Sequence, residues 1–597
     1  MSVTPSRRAV LRGAVVAAAV PLIGGISASP AFAAPAAPGT GALGPNVLVF
    51  DPSMGDAAIQ AQVDAVFKIQ QSNQFGTERY ALAFKPGTYN VDVNVGFYTH
   101  VLGLGESPDD VVIKGHVTVD AQWLDGNGTQ NFWRAAENLC IVPPDGLERW
   151  AVAQAGPMRR THVKGDLSLW PSPPGNQWSS GGFLADSVVD GQVQSGSQQQ
   201  WLSRNDTFGS WNGSNWNMVF VGVQGAPPQS FPSPPMTTIG QTPVVREKPF
   251  LTMAADGSCS VFVPALRRDS TGTTWAHGPA DGHSISLSRF YVARPGDSAG
   301  TINAALARGQ HLLLTPGVYA LSSPVRVTRP GTVVLGLGLA TLQSVNGNSL
   351  IEVDDVDDVS VAGVLLEAAS AHAPVLMRVG DGRRGIPHAD RPTALFDVYA
   401  RIGGAVAGGA TVSVQLDSDD VICDNFWLWR ADHGNDGTVG WTVNPADNGL
   451  IVNGDRVTAY GLAVEHYQKY EVTWNGEQGR TYFFQNELPY DVPDQAAWVH
   501  GGTNGYAAYR VADRVTSHQA WGLGSYCVFT QNADVFTDRA YEVPDTRGVV
   551  FTDLMIVCLN GAGGGGIQHC INDFGGPVAN GYGVYDMTRY SNGVGTA

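Results

Sequence analysis

An internal duplication limits the folds open to this chain more than any other feature of its sequence. Residues 84–105 read FKPGTYNVDVNVGFYTHVLGLG, and residues 314–338 read LTPGVYALSSPVRVTRPGTVVLGLG, so each contains a PGxY turn, alternating strand residues and VLGLG. Each copy also follows a candidate helix, DAAIQAQVDAVFKIQQ in the first case and SAGTINAALARG in the second. Because the order of these features matches as well as the letters, we expect two domains of one architecture.

Short strand-like segments follow each copy at spacings of roughly 20 to 30 residues, among them NMVFVGVQG, VSVAGVLLEA and VICDNFWLWR. No helical pattern lies between them, and 73 glycines can supply tight turns. Stacked coils of a right-handed parallel β-helix have this spacing around one continuous apolar core. Paired β-sandwiches would show hairpin spacing with NG or DG turns, which are sparse here. We therefore predict an all-β chain with two tandem right-handed parallel β-helix (pectate-lyase-like) domains.

The first residues have the features of an export signal. Arg7 and Arg8 precede an apolar stretch that is too short and too interrupted by glycine to span a bilayer, and AFAAP offers a cleavage site after Ala33. An N-terminal membrane anchor is the alternative. We predict a twin-arginine signal peptide at 1–33, an N-terminal β-helix domain at 34–280 and a C-terminal β-helix domain at 281–597. No later segment reaches ~18 uninterrupted apolar residues, so we expect a secreted, extracellular protein without a membrane partner.

Charge and cysteine content exclude several classes of partner. A net charge of −17 argues against nucleic acid, which requires a basic surface. Acidic runs at 352–360 and 415–420 lack EF-hand spacing and are expected to be turns rather than calcium sites. The chain has no CxxC motif, so we predict no metal and no cofactor. The cysteines could pair or remain buried thiols: Cys140, Cys259, Cys423, Cys527, Cys558 and Cys570.

The segment GLAVEHYQKYEVTWNGEQGRTYFFQNELPYD, residues 461–491, contains the candidate catalytic groups. Glu465 and Glu487 lie 22 residues apart, which is close to one coil, so we expect them on one sheet face with backbones ~4.8 Å apart. Two carboxylates held that close cannot both ionise easily, and one pKa should rise. A carboxyl group protonated near neutral pH can protonate a glycosidic oxygen. The spacing alone fits two exposed strand-end acids equally well.

Aromatic and polar side chains around these acids favour a saccharide cleft. Trp and Tyr rings stack on sugar rings, while His and amide groups bind hydroxyls. Aromatic density of this kind also occurs in cores. The candidate substrate-binding residues are Trp427, Trp429, His433, Trp441, Tyr460, His466, Tyr467, Trp474, Tyr482, Gln485 and Tyr490.

The stretch EHYQKYEVTWNGEQGRTYFFQNELPYDVPDQAAW resembles the catalytic segment of glycoside hydrolase family 55, the exo-β-1,3-glucanases or laminarinases. The duplicated PGxY and GLG pattern is similar to that family's two β-helix domains. The resemblance implies a metal-free, inverting, exo-acting hydrolase of β-1,3-glucan, whose general acid is Glu487 and whose second acid is Glu465. It also implies that polar residues of the N-terminal domain hold the attacking water, with Gln200, Ser203 and Gln177 as candidates. We expect a monomer with a polysaccharide substrate.

Two other functions remain open. A β-helix polysaccharide lyase would require basic residues around the cleft, whereas 461–491 has five acids against Lys469 and Arg480. A non-catalytic glycan-binding protein would need the aromatic residues but not the acids. Adjacent coils also place the acids closer than the roughly 6.5–9.5 Å usual for inverting enzymes and nearer the about 5–5.5 Å of retaining ones. If the reaction inverts, Glu465 is not a conventional base and other groups must hold the water.

Overall fold

The structure is a computed structural model that describes residues 43–382, 385–532, 534–559 and 564–597. Most strands pair in parallel with the next pass of the chain, and the α-helices of these ranges are Asp56–Gln70 and Ala299–Ala307. The predicted parallel β-helix fold is confirmed. The predicted signal peptide at 1–33 lies outside the described residues. Within them, no helix combines the length and the apolar character needed to cross a membrane.

The first stack of coils, which we call stack one, is a 15-stranded sheet system within residues 47–239. Its interior is a continuous apolar core that extends from Phe50 to Met236. The strands are Val47–Phe50, Tyr80–Phe84, Gly87–Tyr89, Thr99–Gly103, Val111–Ile113, Arg134–Ile141, Leu147–Arg149, Pro157–Val163, Asp166–Ser168, Phe183–Ala185, Val188–Gln194, Gln200–Arg204, Thr207–Asn212, Asn217–Val221 and Met236–Ile239, with a short pair formed by Val93–Asn94 and Val117–Thr118.

The second stack, stack two, wraps two sheets around a larger core that extends from Ala293 to Tyr590. The 13-stranded sheet consists of Phe290–Ala293, His311–Leu314, Val318–Leu321, Val333–Ser344, Ser360–Ala368, Ala394–Ile402, Ile422–Arg430, Thr458–Glu465, Gly479–Glu487, Ser517–Cys527, Gly548–Cys558, Gly583–Ser591 and Val594–Thr596. The 10-stranded sheet consists of Val325–Val327, Ile351–Val353, Ala373–Val379, Ala410–Leu416, Ala446–Val452, Val472–Trp474, Tyr509–Val511, Phe536–Glu542, Gly566–Ile571 and Val578–Ala579.

Antiparallel strands lie between the stacks in sequence. Thr242–Val245 pairs with Arg267–Ser270, and Cys259–Pro264 pairs with both Phe250–Met253 and Gly282–Ser286. The predicted domain boundary at 280/281 falls in this segment and stays a prediction. The remaining short elements are the antiparallel pair Val499–His500 and Thr503–Asn504 and the 3-10 helices Pro52–Met54, Pro108–Asp110, Gln122–Leu124, Gly128–Gln130, Leu287–Arg289 and Gln495–Ala497.

The duplicated PGxY turns make the same contacts in both stacks. The Tyr89 hydroxyl lies 3.1 Å from the carbonyl oxygen of Phe50, and the Tyr319 hydroxyl lies 2.9 Å from that of Ala293. Each hydroxyl also reaches the carbonyl oxygen four residues before it, at 2.8 and 2.9 Å. Both rings are buried, where a hydroxyl needs a hydrogen-bond partner. The turn tyrosine therefore ties each PGxY turn to the strand that precedes its helix.

Strands of stack two share a kink on the side that faces stack one. At matching points of successive coils, the backbone of one residue is left-handed, with φ of +67° at Gly461 and +68° at Phe483. Asn, Asp and Gly adopt this conformation most readily, which explains most of the residues found there. Phe483 is the bulky exception. The kinked residues are Gly363, Asp397, Asn425, Gly461, Phe483, Gly522 and Asp553.

A buried network of charges joins the two stacks. Arg159 of stack one contacts Asp397 at 2.7 Å and Asp424 at 2.8 Å, both in stack two. Arg204 contacts Asp424 at 2.9 Å and Glu247 at 2.7 Å. Burial lowers the pKa of a guanidinium, but the carboxylates outweigh burial and raise the pKa of Arg159. Since a buried charge without its partner is costly, this network fixes how the stacks sit against each other.

Candidate active site

A small cavity lies where the two stacks meet. Gln154 and Gln200 of stack one line one side, and Gly461, Phe483 and Gln485 of stack two line the other. Its converging amide groups can hydrogen-bond to a water molecule or to a polar group of a ligand. The candidate acids lie beside it, because Gln154 and Gln485 also neighbour Glu465.

Glu465 and Glu487 end neighbouring strands of one sheet. Thr458–Glu465 and Gly479–Glu487 are parallel, and Ala463 pairs with Gln485, so the same register two residues later sets the glutamates side by side. Neighbouring strands lie ~4.8 Å apart. Burial, and then the charge of Glu487, raise the pKa of Glu465 well above its ordinary value. Burial also raises the pKa of Glu487.

Glu465 is held beside the cavity through both carboxylate oxygens. The Gln154 amide donates to Oε1 at 2.9 Å, and the Trp427 indole N–H donates to Oε2 at 2.8 Å. Only 4% of the glutamate is exposed. The indole is itself enclosed, with the rings of Trp133 at 4.5 Å and Trp429 at 5.0 Å. Trp427 therefore positions Glu465 and offers no free face to a sugar.

Glu487 is the more accessible of the two acids, with 21% of its side chain exposed. The Tyr490 hydroxyl donates to its Oε2, and among the described residues no group hydrogen-bonds to its Oε1. Nε2 of His466 lies 3.9 Å from the carboxylate, while Nδ1 of that ring lies 3.1 Å from the Leu488 carbonyl oxygen. Both Tyr490 and His466 lower the pKa of Glu487, although burial outweighs them.

A chain of polar groups continues behind His466. Asp432 lies 3.8 Å from Nε2 of His466 and 2.9 Å from Nδ1 of His433, and the Gln74 amide of stack one lies 2.7 Å from Nε2 of His433. Despite burial, the Asp432 carboxylate raises the pKa of His433. Asp432 also contributes a like charge that raises the pKa of Glu487. Asp432 is thus a second carboxylate, besides Glu465, whose charge acts on Glu487.

Several buried polar atoms along the cavity have no hydrogen-bond partner among the described residues. They are Nε2 and Oε1 of Gln485 and Oε1 of Gln200. Nε2 of Gln200 donates to the carbonyl oxygen of Ser180 at 2.8 Å, which directs this side chain along the cavity wall. Buried amide groups normally find partners. These atoms can therefore bind a water molecule or a substrate hydroxyl.

The other two candidates for water binding are not brought to the cavity. Ser203 pairs with Leu184 and Phe220 on the face of its strand that packs into the core of stack one, the face it shares with Trp201. Gln177 lies in a half-exposed turn with φ of +59°, and it is not among the residues that line the cavity. Of the three residues predicted in stack one, Gln200 alone lines the cavity.

The candidate aromatic residues divide in the same way. Trp429, His433, His466 and Tyr490 lie around the two acids. Trp441 packs at 5.6 Å from Arg430, which donates to the His466 carbonyl oxygen at 3.2 Å. Four others lie elsewhere: Tyr467 and Trp474 in the core of stack two, and Tyr460 and Tyr482 between the stacks. Their rings stabilise the fold and do not contribute stacking faces to the site.

Gln154 and Asp432 are site residues that were not among the candidates predicted from sequence. Gln154 lies in the short run AVAQAG, far from the acidic segment, and meets Glu465 across 311 residues of chain. Asp432 adjoins His433, which is one of the predicted substrate-binding residues. A histidine at a site commonly requires a carboxylate to orient it, so the acid next to His433 could have been predicted on that ground.

These features define a class of protein, a pectate-lyase-like β-helix protein with two carboxyl groups on adjacent coils beside an interdomain cavity. Residues 290–487 match the model of the LAM55 pectate lyase-like domain. An exo-β-1,3-glucanase of Streptomyces sp. strain SirexAA-E is 54% identical over 543 residues, which cover 91% of this chain and 88% of the relative. The chain therefore belongs to glycoside hydrolase family 55.

Solved structures from that organism show the same fold. The structure of sacteLam55A from Streptomyces sp. SirexAA-E superposes with a TM-score of 0.89 at 52% identity, covering 92% of this chain and 98% of the other. A variant of sacteLam55A with one glutamate replaced by alanine, in complex with glucose, superposes equally well. At this identity, the likeness extends to sequence as well as to topology.

Proposed function

We propose that this protein is an exo-β-1,3-glucanase that hydrolyses laminarin-type glucan to small products, with Glu487 as its general acid. The assignment of the acid rests on the surroundings of Glu487. It is a partly buried carboxyl with a raised pKa, it has an open oxygen, and it lies one coil from a second acid. The substrate and the exo direction are proposed from the similarity to the Streptomyces exo-β-1,3-glucanase.

Glu487 transfers its proton to the glycosidic oxygen as the bond from that oxygen to the anomeric carbon breaks. A raised pKa favours the protonated carboxyl that this transfer requires. The transfer leaves a carboxylate, which the Tyr490 hydroxyl and the nearby His466 ring stabilise, since both lower the pKa of Glu487. Tyr490 and His466 limit the rise in the pKa of Glu487, and they therefore also favour the transfer of its proton to the glycosidic oxygen.

The attacking water is assigned to the amides of Gln154 and Gln485. Gln154 is fixed by Glu465. The Gln485 amide lies close enough to Glu465 to lower the pKa of that acid, and by distance and angle neither of its polar atoms has a hydrogen-bond partner among the described residues. Both oxygens of Glu465 already accept hydrogen bonds, which disfavours direct attack by this carboxylate on the sugar. Attack by water from the face opposite the leaving group inverts the anomeric centre, and the attacking oxygen then loses its extra proton to solvent. Inversion is thus compatible with two acids on adjacent coils.

Activity on laminarin tests the assignment. Glu487→Gln keeps the shape of the side chain and removes the transferable proton, so release of reducing sugar should fall by about 10²-fold or more. An aryl β-glucoside with a good leaving group needs less protonation and should lose less. Glu352→Gln, a surface glutamate paired with Arg326, is the control and should be unaffected. Near-normal activity of Glu487→Gln on laminarin contradicts the role of the acid, and faster release from cellulose, xylan or pectin contradicts the substrate.

We further propose that the chain is exported through the signal at 1–33 and acts outside the cell as a monomer. The support is the paired Arg7 and Arg8 ahead of a short apolar stretch. Replacing both arginines by lysine should retain the protein in the cytoplasm, and unchanged export would refute the assignment. Light scattering of the mature chain should give one chain per particle, and a larger mass would refute the monomer.

A further inference from the structure

A second cluster of reactive side chains lies on the outside of stack one, apart from the acids. Cys140 and His162 are register partners on adjacent strands, and Asp109 lies beside them in the 3-10 helix Pro108–Asp110. Leu139 and Ile141, on either side of Cys140, belong to the core, so the thiol lies on the opposite face of its strand. One sulfur, one ring nitrogen and one carboxylate oxygen of the cluster all lie within 4.8 Å of one another.

The orientation of His162 is fixed from both sides. Its Nδ1 lies 2.7 Å from Oδ1 of Asp109, and its Nε2 lies 3.1 Å from Oδ1 of Asp190. The ring also packs against Trp275, with centroids 5.7 Å apart. A histidine that binds a metal commonly hydrogen-bonds its other ring nitrogen to a carboxylate. Here Asp190 is the carboxylate on Nε2, and Nδ1 faces Asp109.

The side chains of the cluster differ in exposure, so that solvent reaches the cluster from one side. Cys140 is fully buried, whereas the side chain of Asp109 is 48% exposed. The thiol therefore lies beside a carboxylate that solvent reaches. Without an ion, the cluster is a histidine between two aspartates with a thiol alongside. A cation placed between thiol and carboxylate would instead satisfy sulfur, nitrogen and oxygen together.

We propose that Asp109, Cys140 and His162 bind one divalent transition-metal ion, for which Zn²⁺ is the best match. Thiolate sulfur, imidazole nitrogen and carboxylate oxygen are the ligand types that Zn²⁺ takes, and solvent on the Asp109 side supplies the fourth position. On binding, the thiol proton passes to solvent and a bond forms between sulfur and metal, with no change of oxidation state. The ion would fasten the helix Pro108–Asp110 to two coils and stabilise this edge of stack one.

Cobalt titration of the untagged, reduced protein tests the site. Co²⁺ should bind at one equivalent, give a thiolate-to-cobalt charge-transfer absorption and be displaced by Zn²⁺. Cys140→Ser should abolish the absorption, and Asp190→Asn should weaken binding by about 10- to 100-fold, because it removes the outer partner of the ligand histidine. Cys259→Ser, which changes the most exposed cysteine of the chain, is the control and should behave as the wild type.

Thermal unfolding supplies a second measurement. Zn²⁺ should raise the midpoint for the wild type and for Cys259→Ser but not for Cys140→Ser. Hydrolytic activity of Cys140→Ser shows that this variant is folded, since the residue lies outside the proposed catalytic groups. Absence of the absorption in the wild type at excess Co²⁺, or an absorption that persists in Cys140→Ser, overturns the proposal.

Discussion

Asp424 should be the most sensitive single point of the contact between the stacks. It is fully buried and accepts hydrogen bonds from Arg159 at 2.8 Å and from Arg204 at 3.0 and 2.9 Å. Asp424→Asn keeps the shape of the side chain and removes the charge. The amide NH₂ group of the new side chain is a donor and then faces two guanidinium groups that are also donors. Asp397 and Glu247 remain as the only direct anionic partners of these arginines among the described residues.

The expected loss can be worked from this geometry. Removing one partner of a buried ion pair costs ~3–5 kcal/mol. An unfolding entropy of ~2.1 cal/mol/K per residue over the roughly 550 described residues gives about 1.2 kcal/mol/K. If the stacks unfold together, Asp424→Asn should lower the midpoint of thermal unfolding by about 2.5–4 °C. Because the cavity draws Gln154 from one stack and Glu465 from the other, kcat/KM should fall with it.

Differential scanning calorimetry against a matched surface variant tests this reasoning. Asp447→Asn breaks a pair with Lys469 in which both side chains are partly exposed, and such pairs contribute ~0–1 kcal/mol. Its midpoint should move by less than about 1 °C on the same conversion. Combining Asp424→Asn with Arg159→Gln should cost less than the sum of the two changes, because they share one network. The reasoning is refuted if Asp424→Asn is no more destabilising than Asp447→Asn.

Three further changes probe the site and the packing. Tyr490→Phe removes a donor to Glu487, so the pKa of the acid should rise and the alkaline limb of the kcat/KM profile should move to higher pH; a move to lower pH contradicts the role of the acid. Gln154→Leu should lower kcat by about 10²-fold with a smaller change in KM, and a pure KM effect contradicts its part in holding water. Gly522→Ala places a methyl 2.4 Å from a valine of stack one, whereas Gly437→Ala has open space at a similar φ. Gly522→Ala should therefore destabilise the folded protein by ~1–3 kcal/mol more than Gly437→Ala. Equal midpoints of thermal unfolding for the two variants would contradict the packing.

The fold was predictable because its evidence is periodic and local. The PGxY turns recur with their flanking elements, and the tyrosine of each turn makes the same contact in both stacks. Coil spacing also predicted that Glu465 and Glu487 share a sheet face, since one coil of separation returns the chain to the same point. A repeat of this kind can be read from sequence without knowing how the stacks pack.

The rest of the site depends on contacts between distant segments, which no local pattern reveals. Gln154 reaches Glu465 only because the stacks sit side by side. The family resemblance suggests Ser203, but side chains alternate along a strand, and it shares the core face with Trp201. Tyr467 and Trp427 are both buried aromatic residues, yet one fills a core and the other holds an acid, because the sequence alone does not show what a ring contacts.

The anomeric form of the first product tests the proposed mechanism most directly. Proton NMR during early hydrolysis of a β-1,3-linked oligosaccharide records which anomer is released before mutarotation mixes them. The proposal that Glu487 protonates the leaving oxygen while water held by Gln154 and Gln485 attacks predicts the α-anomer. Release of the β-anomer would mean that Glu465 attacks the sugar as a nucleophile, and it would contradict the assignment of the water.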